Sequence, residues 1–350
     1  MILKLNKEEL KKVERLILEK NMNIASADDL FNFCFYSSLN KFDTKNYLNS
    51  VFNYLELNAD DKEDKYYFDS RIKPSIKLIS PDKYLNNHYV KSIKPLPYRG
   101  KGYELGYLKV KPYQALPYDD IEIKNDYIEV SKIGYFDKEY SYLAIMKDDV
   151  VWMSLDPNEI NTMEESIKES KGRVLAFGLG LGYYPIEALF NDKVSSVTVI
   201  EKDKKIIEIF NKHIAPLIKN NKKLTIINDD AFHYLENNDI DSLFDYLFID
   251  IWHNPEDGLP LYLQFKKLLN NKKVKTSYWL EKSILAMYRR CLLTIVEEAK
   301  EGYTKKDYLK SENEYDQIIN ELYFKTENIV IKSYDELLNL LQDKNLLRII

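Results

Sequence analysis

One short segment constrains the fold more than any other. An apolar run, Val174-Leu175-Ala176-Phe177, leads into Gly178-Leu179-Gly180-Leu181-Gly182 and then into Tyr183-Tyr184-Pro185-Ile186-Glu187-Ala188-Leu189-Phe190. This reads as a strand, a glycine turn and a helix. Glycines at alternate positions let the backbone turn tightly and bring N–H groups against a ligand with no Cβ in the way. A turn of this kind is common by itself, and its context gives it weight. Strand-like runs at 173–177, 194–200, 224–227 and 244–249 alternate with helical stretches at 184–190, 204–213 and 231–235. The runs are dense in Val, Ile, Leu and Phe without polar alternation, as in strands buried on both faces of a parallel sheet. Such an order predicts βαβ units with right-handed crossovers, an α/β Rossmann-like fold.

At 350 residues the chain exceeds what one core usually covers. Three parts are expected: a helical segment over 1–75, a small β-rich module over 76–158, and the Rossmann-like domain with helical C-terminal additions over 159–350. In the first part, Asn6 and Glu9 form a capping pair ahead of the stripe Leu10, Val13, Leu16 and Ile17. A second helix is predicted over 28–36, and the polar run 58–65 as a loop. From 84 to 155, Pro95, Pro97, Pro112 and Pro117 punctuate short β-rich runs, predicting antiparallel pairing. Thr162 and Glu165 read as a capping box opening the next helix. Beyond the sheet, a fifth strand is expected over 274–280 and an amphipathic helix over 281–300. A strand near 329–331 and a helix over 335–341 close the chain.

The net charge of −5 argues against a general nucleic-acid binder, whose affinity rests on Lys and Arg neutralising phosphates. A basic stretch from Arg71 to Lys111 is followed by an acidic one from Asp119 to Asp149, which reads as a solvated surface with compensating charges. No run approaches the roughly 20 apolar residues of a membrane span, and the N-terminus carries no secretory core, so a cytoplasmic protein is expected. Cys34 and Cys291 match no metal or redox spacing and read as reduced, buried thiols.

The strand ends supply the candidate chemistry. A dinucleotide fingerprint needs a small third residue where Tyr183 stands, which disfavours nicotinamide and flavin ligands. Glu201 closes the second strand, where a carboxylate can accept hydrogen bonds from both hydroxyls of a ribose. Helix capping there falls to Asp203 instead. Asp230 closes the third strand ahead of Ala231; it can reach an adenine amino group or cap the next helix, and the two roles are compatible. Asp250, Trp252 and His253 follow the fourth strand, where the reacting centre of an open α/β sheet lies. Asp250 can bind an ammonium or orient a nucleophile, and His253 can serve as a general base. Glu159 and Asn158 lie at the junction with the β-rich module and read as an exposed linker that could touch the ligand.

The stretch from 173 to 265 resembles the class I S-adenosylmethionine-dependent methyltransferases. VLAFGLGLGYY is similar to their first motif, Glu201 to the ribose-binding acid, Asp230-Ala231 to the adenine-contacting pair, and FIDIW to the motif after strand four. The resemblance implies S-adenosylmethionine on Gly178, Gly180, Gly182, Glu201, Asp230, Ala231 and Asp250. It further implies methyl transfer at Asp250, Trp252 and His253 to a small-molecule or macromolecular acceptor, with no metal. Many members carry an acid two residues before the first glycine, where this chain has Ala176. The β-rich module ahead of the glycine loop is similar to the spermidine synthase branch, which transfers aminopropyl groups. That branch carries D-x-x-D after strand four, whereas here Asp250 is followed at that spacing by His253. DNA amino-methylation is disfavoured, because His253-Asn254-Pro255-Glu256 lacks the second proline and aromatic that would hold a flipped base.

Overall fold

The computed structural model describes residues 1–31, 33–35, 43–219, 222–309 and 313–350. Helix α1 (Lys7–Phe31) starts where Asn6 Oδ1 accepts from the N–H groups of Glu8 and Glu9, at 2.9 and 3.0 Å. The Glu9 side chain does not return to close a capping box; it accepts from the Tyr334 N–H instead. The buried stripe continues from Val13 and Leu16 through Ala27 and Leu30, so α1 is one unbroken helix. Residues 28–31 are therefore its last turns and not a second helix. Cys34 forms an isolated bridge with Gln114, and Asn32 and Tyr36 lie outside the described residues. The expected loop over 58–65 is also shorter than predicted. After α2 (Thr44–Tyr54), Asp61 caps a short helix, Lys62–Tyr67, by accepting from the N–H groups of Glu63 and Asp64.

Seven strands follow: β1 (Ile76–Leu78), β2 (Tyr98–Gly100), β3 (Tyr103–Val110), β4 (Leu116–Ile123), β5 (Glu129–Tyr135), β6 (Tyr140–Lys147) and β7 (Val150–Ser154). They form two sheets, a four-stranded antiparallel one in the order β2-β3-β6-β7 and a three-stranded one in the order β1-β5-β4. Pairing from 84 to 155 is antiparallel as expected, and β1 adds one parallel pair with β5. Helix α3 (Pro157–Glu169) then begins six residues earlier than the Thr162–Glu165 pattern predicted. Asp156 caps it, accepting from the N–H groups of Asn158 and Glu159 at 2.8 and 3.1 Å, with Pro157 at the first helical position. Thr162 lies a turn inside, its hydroxyl donating to the Asn158 carbonyl.

The α/β unit alternates β8 (Gly172–Phe177), α4 (Tyr183–Phe190), β9 (Val194–Glu201), α5 (Lys204–Ile209), β10 (Lys223–Asn228), α6 (Ala231–Asn237), β11 (Tyr246–Ile249), α7 (Pro255–Leu269), β12 (Lys275–Tyr278) and α8 (Glu281–Glu301). The sheet order is β10-β9-β8-β11-β12, and every pairing is parallel. Counted within the unit this is 3-2-1-4-5, the Rossmann-like order. The central strand, β8, buries Val174, Leu175, Ala176 and Phe177 completely, which explains the absence of polar alternation. The chain continues through α9 (Glu314–Thr326), α10 (Tyr334–Leu340) and α11 (Asp343–Ile349). Val330–Ile331 pairs in parallel with Ile2–Leu3, which ties the two chain ends together.

Among the described residues no helix is long and apolar enough to cross a membrane. Part of the basic stretch is ion-paired: Arg71 with Glu19 and Asp126, Lys73 with Asp69, Lys83 with Glu164, Arg99 with Asp149, and Lys109 with Glu139. Both cysteines are free. Cys291 is buried, and burial raises its thiol to about 11; Cys34 is only half-buried, contrary to expectation.

Candidate functional site

The order of the strands reverses between β8 and β11, and ligands of open α/β sheets bind in the crevice outside the carboxyl ends at such a point. A cavity of about 540 Å³ opens there. The glycine loop forms one wall. At Gly178, φ is +94° and a Cβ would stand 1.9 Å from the Asp250 carbonyl oxygen, so only glycine lets the loop pass the end of β11. Gly180 lines the cavity as well. Gly182 does not; it opens α4 with φ +75°, backed by the Phe210 ring, and so shapes the loop from outside.

Glu201 lies at the end of β9 and is only 8% exposed. Its Oε2 accepts from the Leu179 N–H at 3.0 Å and its Oε1 from the Asp203 N–H at 2.7 Å. Burial raises its pKa against the opposing pull of those two donors. Each oxygen keeps a lone pair for a further donor, so a fixed, bidentate acceptor faces the cavity. Asp230 caps α6 by accepting from the N–H groups of Phe232 and His233, and it also lines the cavity with Ala231.

Asp250 and Glu159 line the same cavity, and neither carboxylate accepts a hydrogen bond from a described residue. Burial, and then the charge of Glu201, push the Asp250 carboxyl up to about 8. Burial, and then the charges of Asp250 and Asp156, hold the Glu159 carboxyl well above its ordinary range. Glu159 is thus not on an exposed linker but in the first turn of α3, where it lines the cavity. Asn158 is turned away, donating to the Asp119 carbonyl. Ala176 is buried inside β8, so no acid enters the cavity from that position.

His253 lies at the cavity with its Nδ1 2.8 Å from Asp257 Oδ2 and its ring 4.3 Å from that of Trp152. Asp257 also closes a capping box with Asn254 at the start of α7. Trp252 is buried; its Nε1–H donates to the Trp279 carbonyl at 3.2 Å, and Gly258 packs against its ring. Tyr184 lines the cavity while stacking on Phe248 and hydrogen-bonding Ser170, so it serves core and cavity wall together. The strand β7 adds Trp152 and Met153, with Lys147 4.4 Å over the Trp152 ring. Tyr103 of β3 donates to Asp203 at 2.6 Å, pinning the antiparallel sheet against the loop that follows Glu201. Sequence reasoning missed Trp279 and Lys147, since each reaches the cavity only through the arrangement of distant elements. Among the described residues no group of three His, Cys, Asp or Glu side chains could hold a metal ion.

The sheet order and the crevice at its reversal define an α/β protein with a Rossmann-like sheet and a cavity at its switch point. No family model matches the chain, and no curated protein matches it. Solved structures that align with part of it include two spermidine synthases. One is a spermidine synthase from Thermotoga maritima, at TM-score 0.30 and 17% identity over 43% of this chain and 58% of that one. The other is a spermidine synthase in complex with the transition state analogue AdoDATO, at TM-score 0.30 and 16% identity over the same shares. The alignment therefore spans less than two thirds of either neighbour.

Proposed function

We propose that the cavity binds S-adenosylmethionine and that the protein transfers the methyl group in line to an acceptor. One observation carries this reading. The glycine loop, the doubly anchored Glu201 carboxylate and the Asp230-Ala231 pair converge on one cavity at the reversal of the sheet. Glu201 would take the ribose hydroxyls, the loop would pass along the nucleoside, and Ala231 would leave room for the adenine. The sulfonium of this ligand supplies an already electrophilic methyl, so the chain has only to align the partners and exclude water. His253, held by Asp257, is the group positioned to take a proton from the acceptor.

A second reading is favoured by the unpartnered acids, Asp250 and Glu159. In it an aminopropyl group passes from the decarboxylated ligand to an amine drawn in by those carboxylates.

Calorimetric titration with S-adenosylmethionine and S-adenosylhomocysteine tests the common core of both readings. Micromolar binding is expected, with loss of about 100-fold in Glu201→Ala from two charge-assisted hydrogen bonds. Binding of neither ligand would sink both readings and leave a non-catalytic scaffold on this fold. Incubation with an acceptor panel then separates the two chemistries: S-adenosylhomocysteine as by-product marks methyl transfer, and methylthioadenosine marks aminopropyl transfer.

A further inference from the structure

Glu159 and Asp250 come from elements far apart in the sequence, the first turn of α3 and the end of β11. Both line the same cavity. Each lies within Coulombic range of another acid, Glu159 of Asp250 and Asp156, and Asp250 of Glu201. Asp156 spends its oxygens on the α3 cap and on the Ser154 hydroxyl, and Glu201 spends one lone pair of each oxygen on the glycine loop and the Asp203 N–H. Glu159 and Asp250 spend none on described residues. Two adjacent carboxylates without donors call for a cation that also supplies N–H groups. A sulfonium has none to give, and no cluster of metal-binding geometry includes these acids among the described residues. A primary ammonium has three. Lys147, Lys202 and His253 line the same cavity, but none of them bonds to either carboxylate.

We infer that Glu159 and Asp250 together hold the ammonium group of the amino-acid end of the ligand, with Glu159 the residue that selects for it. The inference rests on the proposed adenosyl-ligand reading of the cavity. When the ammonium enters, N–H···O bonds form to both carboxylates and the proton that the crowded acids share in the empty cavity leaves to solvent. No co-reactant is required. The raised carboxyl pKa values give the direction of the pH effect: affinity for the ammonium-bearing ligand rises with pH until both acids are ionised in the empty cavity.

Two probes isolate the group. S-adenosylhomocysteine carries the ammonium; 5′-methylthioadenosine keeps the nucleoside and lacks the amino-acid end. Calorimetry on the full chain, in two buffers of different ionisation enthalpy, is expected to show proton release with the first probe and none with the second. Glu159→Gln is expected to weaken S-adenosylhomocysteine by at least about tenfold, the loss of one charge-assisted contact, and to leave methylthioadenosine within about twofold. Equal weakening of both probes, no weakening of either, or binding of the first without proton release overturns the inference while the nucleoside reading stands. Failure of both probes to bind the unaltered protein overturns the inference and that reading together. The proton measurement needs no variant, so misfolding of Glu159→Gln would not decide the matter.

Discussion

Two pairs of acids line the cavity, yet they are held in opposite ways. Glu201, closing β9, and Asp230, capping α6, accept from backbone N–H groups and are fixed before any ligand arrives. Glu159 of α3 and Asp250 after β11 have no described donor, and burial opposes their charge. In the proposed reading the first arrangement recognises neutral hydroxyls, which demands rigid acceptors. The second is held away from its ionised state until a cation enters. A shared charge sign therefore does not mean a shared task, and hydrogen-bond partners separate the two more clearly than burial does.

The comparison can be broken most severely at the glycine loop, which meets both Glu201 and the Asp250 backbone. Gly178→Ala drives a Cβ to within 1.9 Å of the Asp250 carbonyl and keeps a positive φ, so a loss of about 3 kcal/mol or more is expected in thermal unfolding, together with loss of nucleoside binding. Gly302→Ala is the control. It also has a positive φ, +86°, but a Cβ there meets nothing within 4 Å, and about 1 kcal/mol is expected. Equal losses at the two sites would show that backbone strain alone, and not contact with β11, fixes the glycine loop.

A smaller effect sharpens the contrast between the acids. Asp250 keeps its proton in the folded protein up to about pH 8 and loses it near pH 4 once unfolded. The folded state then binds more protons in that window, so stability falls as pH rises, by at most about 1.4 kcal/mol per unit. Asp250→Asn is expected to flatten that slope in urea unfolding at pH 5 and pH 8, stabilising the ligand-free protein at the higher pH. A slope unchanged by the substitution would show that Asp250 is ionised in the empty cavity. The smallest effect belongs to Asp257→Asn, which weakens the α7 capping box by about 1 kcal/mol and loosens the hold on His253. If His253 takes the acceptor's proton, the variant shifts the pH profile of turnover; a uniform loss at every pH would leave it a structural cap only.

The sheet was legible because its information is local. The predicted strands 173–177 and 194–200 differ by one residue each from Gly172–Phe177 and Val194–Glu201, since burial on both faces marks such strands by composition alone. The fourth was predicted two residues too early: Phe244 and Asp245 precede Tyr246–Ile249. Helix starts were less legible, because Thr162-Glu165 offers as good a local pattern as Asp156-Pro157. Packing of α3 against the module decided between them. Glu201 and Asp230 were visible as the last residues of recognisable strands. Glu159 read as a linker because its meaning depends on Asp250, 91 residues away along the chain. Nothing in the neighbourhood of Glu159 marks that encounter.

The most direct test of the whole account is a crystal structure of the protein soaked with S-adenosylhomocysteine. The account predicts the ribose hydroxyls on Glu201, the adenine beside Asp230 and Ala231, and the amino group between Glu159 and Asp250. A ligand seated elsewhere, or a cavity left empty at saturating concentration, would contradict it.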